Sequence, residues 1–249
     1  MKFLAAAAGT LLPALVAGHG YVNRAIIGGE EYEFYIPERD PYMNPKPERV
    51  SRAIPGNGPV QDVSLIDLQC NGYTDGNNPG SSPAPLHAPV QAGSTVKLFW
   101  TLWPESHVGP TITYMARCPD DGCDNWEPGT DAVWFKIQEE GRDGTSNNWA
   151  VTPLMTDVNA GVEYTIPACI KPGYYLVRHE IIALHSAWEY PGAQFYPGCH
   201  QLEVTGSGNT SPSGLVSFPG AYDGADPGIT YNAYTATEYT IPGPAVFTC

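Results

Sequence analysis

The stretch GYYLVRHEIIALH, residues 173–185, is the longest of several runs rich in β-branched, aromatic and aliphatic residues. That composition is the composition of a strand. Thr95–Trp103 (TVKLFWTLW), Thr111–Ala116, Ala132–Ile137, Gly161–Ile166 and His200–Val204 have the same character. Between such runs, 27 Gly and 25 Pro punctuate the chain too often for long helices. The pattern predicts an all-β, immunoglobulin/fibronectin-III-like antiparallel β-sandwich with long loops and short helical turns. Residues 28–60, 119–131 and 206–230 carry the loop-forming residues. No internal repeat or low-complexity linker interrupts the pattern.

Outward from the strands, the first eighteen residues read as a leader. Lys2 supplies a positive start, residues 3–17 an apolar run, and Val16-Ala17-Gly18 a small-residue cleavage site. The run is too short to span a bilayer. The expectation is a secreted protein with residues 1–18 as signal peptide and residues 19–249 as a single domain. No appended carbohydrate-binding module is expected. Formal net charge is −14, with no basic run, so nucleic acid and anionic membranes are poor partners. The six cysteines, an even number behind a leader, argue for three disulfides in an oxidising compartment. Cys118 and Cys123 bracket a tight Pro-Asp-Asp-Gly turn and could pair locally. Spacing alone leaves the full pairing open. Asn209-Thr210-Ser211 is an N-glycosylation acceptor in a Gly/Ser-rich stretch.

Cleavage after Gly18 makes His19 the new N-terminus. An α-amino group has a pKa of about 7.7–8.0, and a metal readily displaces its proton. Amine and imidazole Nδ1 of one residue can then chelate one ion. His107 follows a strand and precedes Val108-Gly109-Pro110, a placement suited to a metal ligand. His179-Glu180 with His185 does not match the zinc-protease spacing, which needs histidines four apart on a helix. On a strand their even separation puts both on one face, leaving one free to reach a site at the strand end. Gln194 and Tyr196 share a face if extended, offering an amide and a phenolic oxygen.

At these residues the chain resembles fungal lytic polysaccharide monooxygenases of auxiliary activity family 9. The matching stretches are His19-Gly20, HVGPTITYM from His107, PGYYLVRHEIIALH ending at His185, QFYPGC from Gln194, and YTIPGPAVF near the C-terminus. Together they span residues 19–249 almost completely. The resemblance implies one copper ion, cycling between Cu(II) and Cu(I). His19 would bind it through its amine and Nδ1, His107 through one ring nitrogen, and Tyr196 would be the axial oxygen group. His185 and Gln194 would orient the oxygen co-substrate. Tyr42 and Tyr234 match surface tyrosines that stack on sugar rings. The implied disulfides are Cys70–Cys199, Cys118–Cys123 and Cys169–Cys249. Nitrogen donors with a weak oxygen suit Cu(II) on general grounds too.

The implied reaction is oxidative cleavage of cellulose or a related β-1,4-glucan at C1 and/or C4. O2 or H2O2 is the co-substrate, and an external reductant supplies electrons. A monomer is implied. Three other readings compete. A carboxylate glycosidase needs two facing carboxylates about 5–9.5 Å apart, and only Glu180 and Glu189 offer themselves. A non-catalytic copper-binding protein would use the N-terminal histidine without needing His185 or Gln194. A carbohydrate-binding module leaves all the histidines unexplained.

Overall fold

The computed structural model describes residues 18–76 and 80–249. The expected leader lies outside the described residues, apart from Gly18. In chain order the strands are β1 (Val22–Ile27), β2 (Glu30–Glu33), β3 (Ala88–Gln91), β4 (Thr95–Trp100) and β5 (Thr111–Arg117). They continue with β6 (Trp134–Glu140), β7 (Val162–Thr165), β8 (Gly173–Ala183) and β9 (Gln194–Thr205). One sheet has the order β2-β1-β4-β7 and the other β3-β9-β8-β5-β6. Short 3-10 turns occur at Asp40–Tyr42, Ile66–Leu68, Thr74–Gly76 and Thr152–Met155. The β-sandwich expected from the sequence is therefore present.

One core lies between the sheets, where Ala25, Ile27, Val96 and Leu98 meet Met115, Val177 and Leu202. A second covers the opposite face of the larger sheet. There Ile112, Tyr114, Leu176 and Ile182 pack against Phe218, Tyr222 and Ile229 from the long C-terminal segment. β8 is thus buried on both faces, which is why apolar residues do not alternate along it but fill both sides of the Arg178-His179-Glu180 stretch, itself buried.

Some expectations needed correction. β1 and β2 were not anticipated, and β2 falls inside a stretch read as loop. Its sequence, EEYE, is mostly exposed and charged because it forms a sheet edge. β3 was also missed. It pairs with β9 in parallel, the one departure from an antiparallel sandwich among the named strands. Its Pro89 cannot donate a ladder hydrogen bond and suits an edge. β4 stops at Trp100 and β8 at Ala183, so Trp103 and His185 both lie beyond strand ends.

Disulfides join Cys70–Cys199, Cys118–Cys123 and Cys169–Cys249, the pairing the resemblance implied. The first ties the segment before Asn71 to β9, close to Tyr196. Asn209 is exposed, as its surroundings suggested. No helix among the described residues is long and apolar enough to cross a membrane.

Candidate metal centre

Three rings converge at one end of the sandwich. His19 and His107 have centroids 6.0 Å apart with planes at 77°. Tyr196 lies 5.9 Å from His19 and 6.3 Å from His107. Each comes from a different place in the chain. His19 precedes β1, His107 follows β4 in a turn, and Tyr196 sits on β9.

Local packing fixes these positions. Gly20 lets the chain press onto the floor of the site, since a Cβ there would sit 2.7 Å from Thr101 Oγ1 and 3.1 Å from the Trp103 ring. Trp103 Nε1 donates to the His107 carbonyl at 2.7 Å. Leu184 N donates to the Val108 carbonyl at 2.8 Å, strapping the His107 turn to the end of β8. Gly109 permits that approach, because a Cβ there would collide with the Ile182 carbonyl.

His107 is 8% exposed, and its Nδ1 lies 3.0 Å from Ser106 Oγ. Its Nε2 is buried without any partner, and so is His185 Nδ1. An unmet polar atom in a buried site is costly unless a ligand meets it. Burial holds the His107 ring down to about 4, with the facing His185 and His19 rings adding to the effect. Burial, with His19 behind it, also lowers His185. Neutral imidazole is the metal-binding form. Burial pushes the Tyr196 phenol up, so it stays protonated and can be only a weak oxygen donor.

Among the described residues, no group of three or more His, Cys, Asp or Glu side chains is arranged to hold a metal. Two imidazoles and a phenol are too few for a closed zinc site. They suit an ion that takes its third nitrogen from a backbone amine.

Around this centre, His185 stacks on His107 at 4.0 Å. Tyr196 OH donates to Gln194 Oε1 at 2.7 Å, which orients the amide. His179 is turned inward, as the spacing allowed. Trp100 Nε1 donates to its Nε2 at 3.2 Å, and Thr113 Oγ1 lies 2.9 Å from its Nδ1, so neither nitrogen is free. Tyr42 and Tyr234 are 84% and 70% exposed. Tyr234 OH donates to the His185 carbonyl at 3.3 Å, which places it at the rim. Tyr21 OH donates to Glu38 at 2.8 Å.

The sequence reading missed three contributors. Trp103 holds the His107 carbonyl and lies edge-on to Tyr196 at 5.0 Å. Ser106 faces His107 Nδ1, and Trp188 is exposed three residues after His185. A tryptophan four residues before His107 was the available signal for the first. The glycosidase reading loses Glu180, which is fully buried with both oxygens held by Arg178 at 2.6 and 2.8 Å.

A β-sandwich that brings two histidines and a tyrosine together at one end has the arrangement expected of the family the sequence resembles. Residues 19–240 match the model of Auxiliary Activity family 9, formerly GH61. The chain is 58% identical to AA9 family lytic polysaccharide monooxygenase F of Podospora anserina, covering all of both chains. It is 54% identical to monooxygenase B of Malbranchea cinnamomea, over 100% of this chain and 99% of the relative. Cel61B from Hypocrea jecorina, a glycoside hydrolase family 61 member, superposes with a TM-score of 0.82. Identity there is 30%, over 92% of this chain and 100% of that one. A cellulose-active polysaccharide monooxygenase from M. thermophila gives a TM-score of 0.78 at 35% identity, over 92% and 99%. The chain belongs to Auxiliary Activity family 9.

Proposed function

We infer that this protein is a copper-dependent lytic polysaccharide monooxygenase that cleaves β-1,4-glucan oxidatively at C1 and/or C4. The observation that carries the reading is the unpartnered, buried Nε2 of His107, on a ring whose centroid lies 6.0 Å from that of His19 and 6.3 Å from that of Tyr196. The family match begins at His19, which supports removal of residues 1–18 during secretion. That cut frees the His19 amine.

The amine and ring of His19 with His107 Nε2 would hold the ion, and the Tyr196 hydroxyl would offer a weak oxygen donor. Bound copper supplies one-electron redox chemistry and open positions where O2 or H2O2 can be activated. The chain does the rest. Neutral His107 and His185 keep the site free of competing protons near neutral pH. Tyr196 OH engages Gln194 Oε1, which leaves the amide NH2 free to donate to an oxygen co-substrate. His185, held by its stack on His107, presents a second polar edge. The burial of His107 and Tyr196 excludes water from the floor of the site. Tyr42 and Tyr234 offer flat aromatic faces for sugar rings, which suits a substrate too rigid to enter a pocket. A small-molecule or protein reductant outside this chain provides electrons.

The test is mass spectrometry of products from amorphous cellulose, using protein that begins at His19, copper and ascorbate. Aldonic acids or 4-keto sugars that require both copper and reductant are expected. Unoxidised oligosaccharides that form without either would sink the reading.

A further inference from the structure

Tyr42, the most exposed large apolar or aromatic side chain among the described residues, stands two residues beyond a buried carboxylate. The Asp40 side chain is 1% exposed. Its Oδ2 accepts from Ile36 N at 3.3 Å and Arg49 Nε at 2.9 Å. Its Oδ1 accepts from Arg39 Nε at 3.0 Å and Arg49 Nη2 at 3.3 Å. Both guanidiniums also reach Glu33 on β2, Arg39 at 2.8 Å and Arg49 at 2.9 Å. Two carboxylates and two guanidiniums therefore close one neutral knot. In a chain with 12 Lys and Arg against 26 Asp and Glu, two of the scarce cations converge on this turn.

The knot sits at the foot of the 3-10 turn Asp40–Tyr42, where Pro41 restricts the backbone. A second tie runs to the metal centre. Tyr21, two residues after His19, donates to Glu38 Oε2 at 2.8 Å. The segment that presents Tyr42 is thus anchored to β2 and to the residues that lead from His19 into β1. A stacking ring on an unanchored loop must be ordered on binding, at a cost in affinity.

We propose that Asp40 is a positioning residue for polysaccharide binding, and that its knot with Glu33, Arg39 and Arg49 holds the Tyr42 ring in register with the metal centre. This rests on the reading of Tyr42 as a sugar-stacking residue. Asp40 itself, being buried, touches no substrate.

The experiment is a set of binding isotherms on amorphous cellulose without reductant, using copper-loaded protein that begins at His19. The variants are Tyr42→Ala, Asp40→Asn and their combination, with Glu33→Gln as a milder disruption should Asp40→Asn fold poorly. Tyr42→Ala is expected to raise the half-saturating load by about three- to ten-fold. Asp40→Asn, or Glu33→Gln in its place, should weaken binding by a comparable or smaller factor, with the Cu(II) EPR spectrum unchanged. The combined variant should bind no worse than Tyr42→Ala alone, since both changes remove the same contact. Additive losses would place the action of Asp40 elsewhere and overturn the proposal. Wild-type binding by Asp40→Asn and Glu33→Gln, beside weak binding by Tyr42→Ala, overturns it too but leaves Tyr42 as the contact. Wild-type binding by Tyr42→Ala removes the Tyr42 reading and the proposal together.

Discussion

His107 and His185 lie face to face, with ring centroids 4.0 Å apart and planes 28° apart. Each carries a buried nitrogen that no protein atom satisfies, Nε2 on His107 and Nδ1 on His185. Two imidazoles stacked this closely cannot both carry a charge, and burial lowers both. The pair divides the work. The His107 ring lies 6.0 Å from His19, while His185 stacks on it from just beyond the end of β8.

Replacing His107 with Ala should remove one of the ion's nitrogen donors while leaving the fold intact, because the strap from Leu184 N to the Val108 carbonyl is backbone. Copper affinity should fall by more than about 100-fold, beyond what loss of an outer partner costs. Calorimetric titration of Cu(II) into protein beginning at His19 measures it. Affinity within a few-fold of wild type would show that His107 is not a ligand.

Tyr196→Phe removes the hydroxyl that donates to Gln194 Oε1 at 2.7 Å but keeps the ring that packs on Trp103. Copper should still bind. The rate of oxidised-product formation should drop by roughly 10- to 100-fold, since the Gln194 amide loses its orientation. The Cu(II) EPR parameters should shift with it. An unchanged rate and spectrum would remove Tyr196 and Gln194 from the chemistry.

Much of this was legible in the sequence, for identifiable reasons. β8 declared itself because burial on both faces fills it with aromatic, β-branched and aliphatic residues on either side of Arg178-His179-Glu180. His107 could be placed at a strand end from the Gly109-Pro110 turn that follows it. The face shared by Gln194 and Tyr196 followed from strand period alone, and the hydrogen bond between them agrees. What stayed hidden were features set by distant partners. β2 is charged because it is an edge, so hydrophobic pattern could not reveal it. Asp40 looked like one more loop acid, because its arginines and Glu33 converge only in three dimensions. Trp103 read as part of a strand, although it works from beyond the strand end.

Acid should destabilise the fold well above the carboxylate range. His179 and His200 are buried neutral, their rings held down to about 3 chiefly by burial. In the unfolded chain each protonates near 6.5. Folded values below unfolded ones give stability that is complete above about pH 6.5 and is lost as pH falls toward 3. By pH 5 each of these two histidines should cost roughly 2 kcal/mol, the pair contributing a slope that approaches about 2.7 kcal/mol per pH unit below pH 6.5, and the lowered His107 and His185 add in the same direction. Urea unfolding between pH 7.5 and 5 reads this directly. A flat profile across that range would mean that both rings are protonated in the native state.

Glu180 tests both the packing and the discarded hydrolytic chemistry. It and Arg178 are fully buried on β8, and Arg178 also donates to the Leu68 carbonyl at 3.0 and 2.8 Å. The Tyr222 hydroxyl donates to Glu180 as well, joining the C-terminal segment to the sheet. Glu180→Gln keeps the shape but leaves a buried guanidinium without its counter-charge. The cost should be about 3–5 kcal/mol of unfolding free energy. Replacing both partners with apolar residues of similar volume should cost less, because no charge is then stranded. Protein that remains folded should keep its oxidative product profile, since Glu180 has no route to the surface. A Glu180→Gln variant with wild-type stability but no cleavage of any kind would contradict this assignment and return the carboxylate to the chemistry.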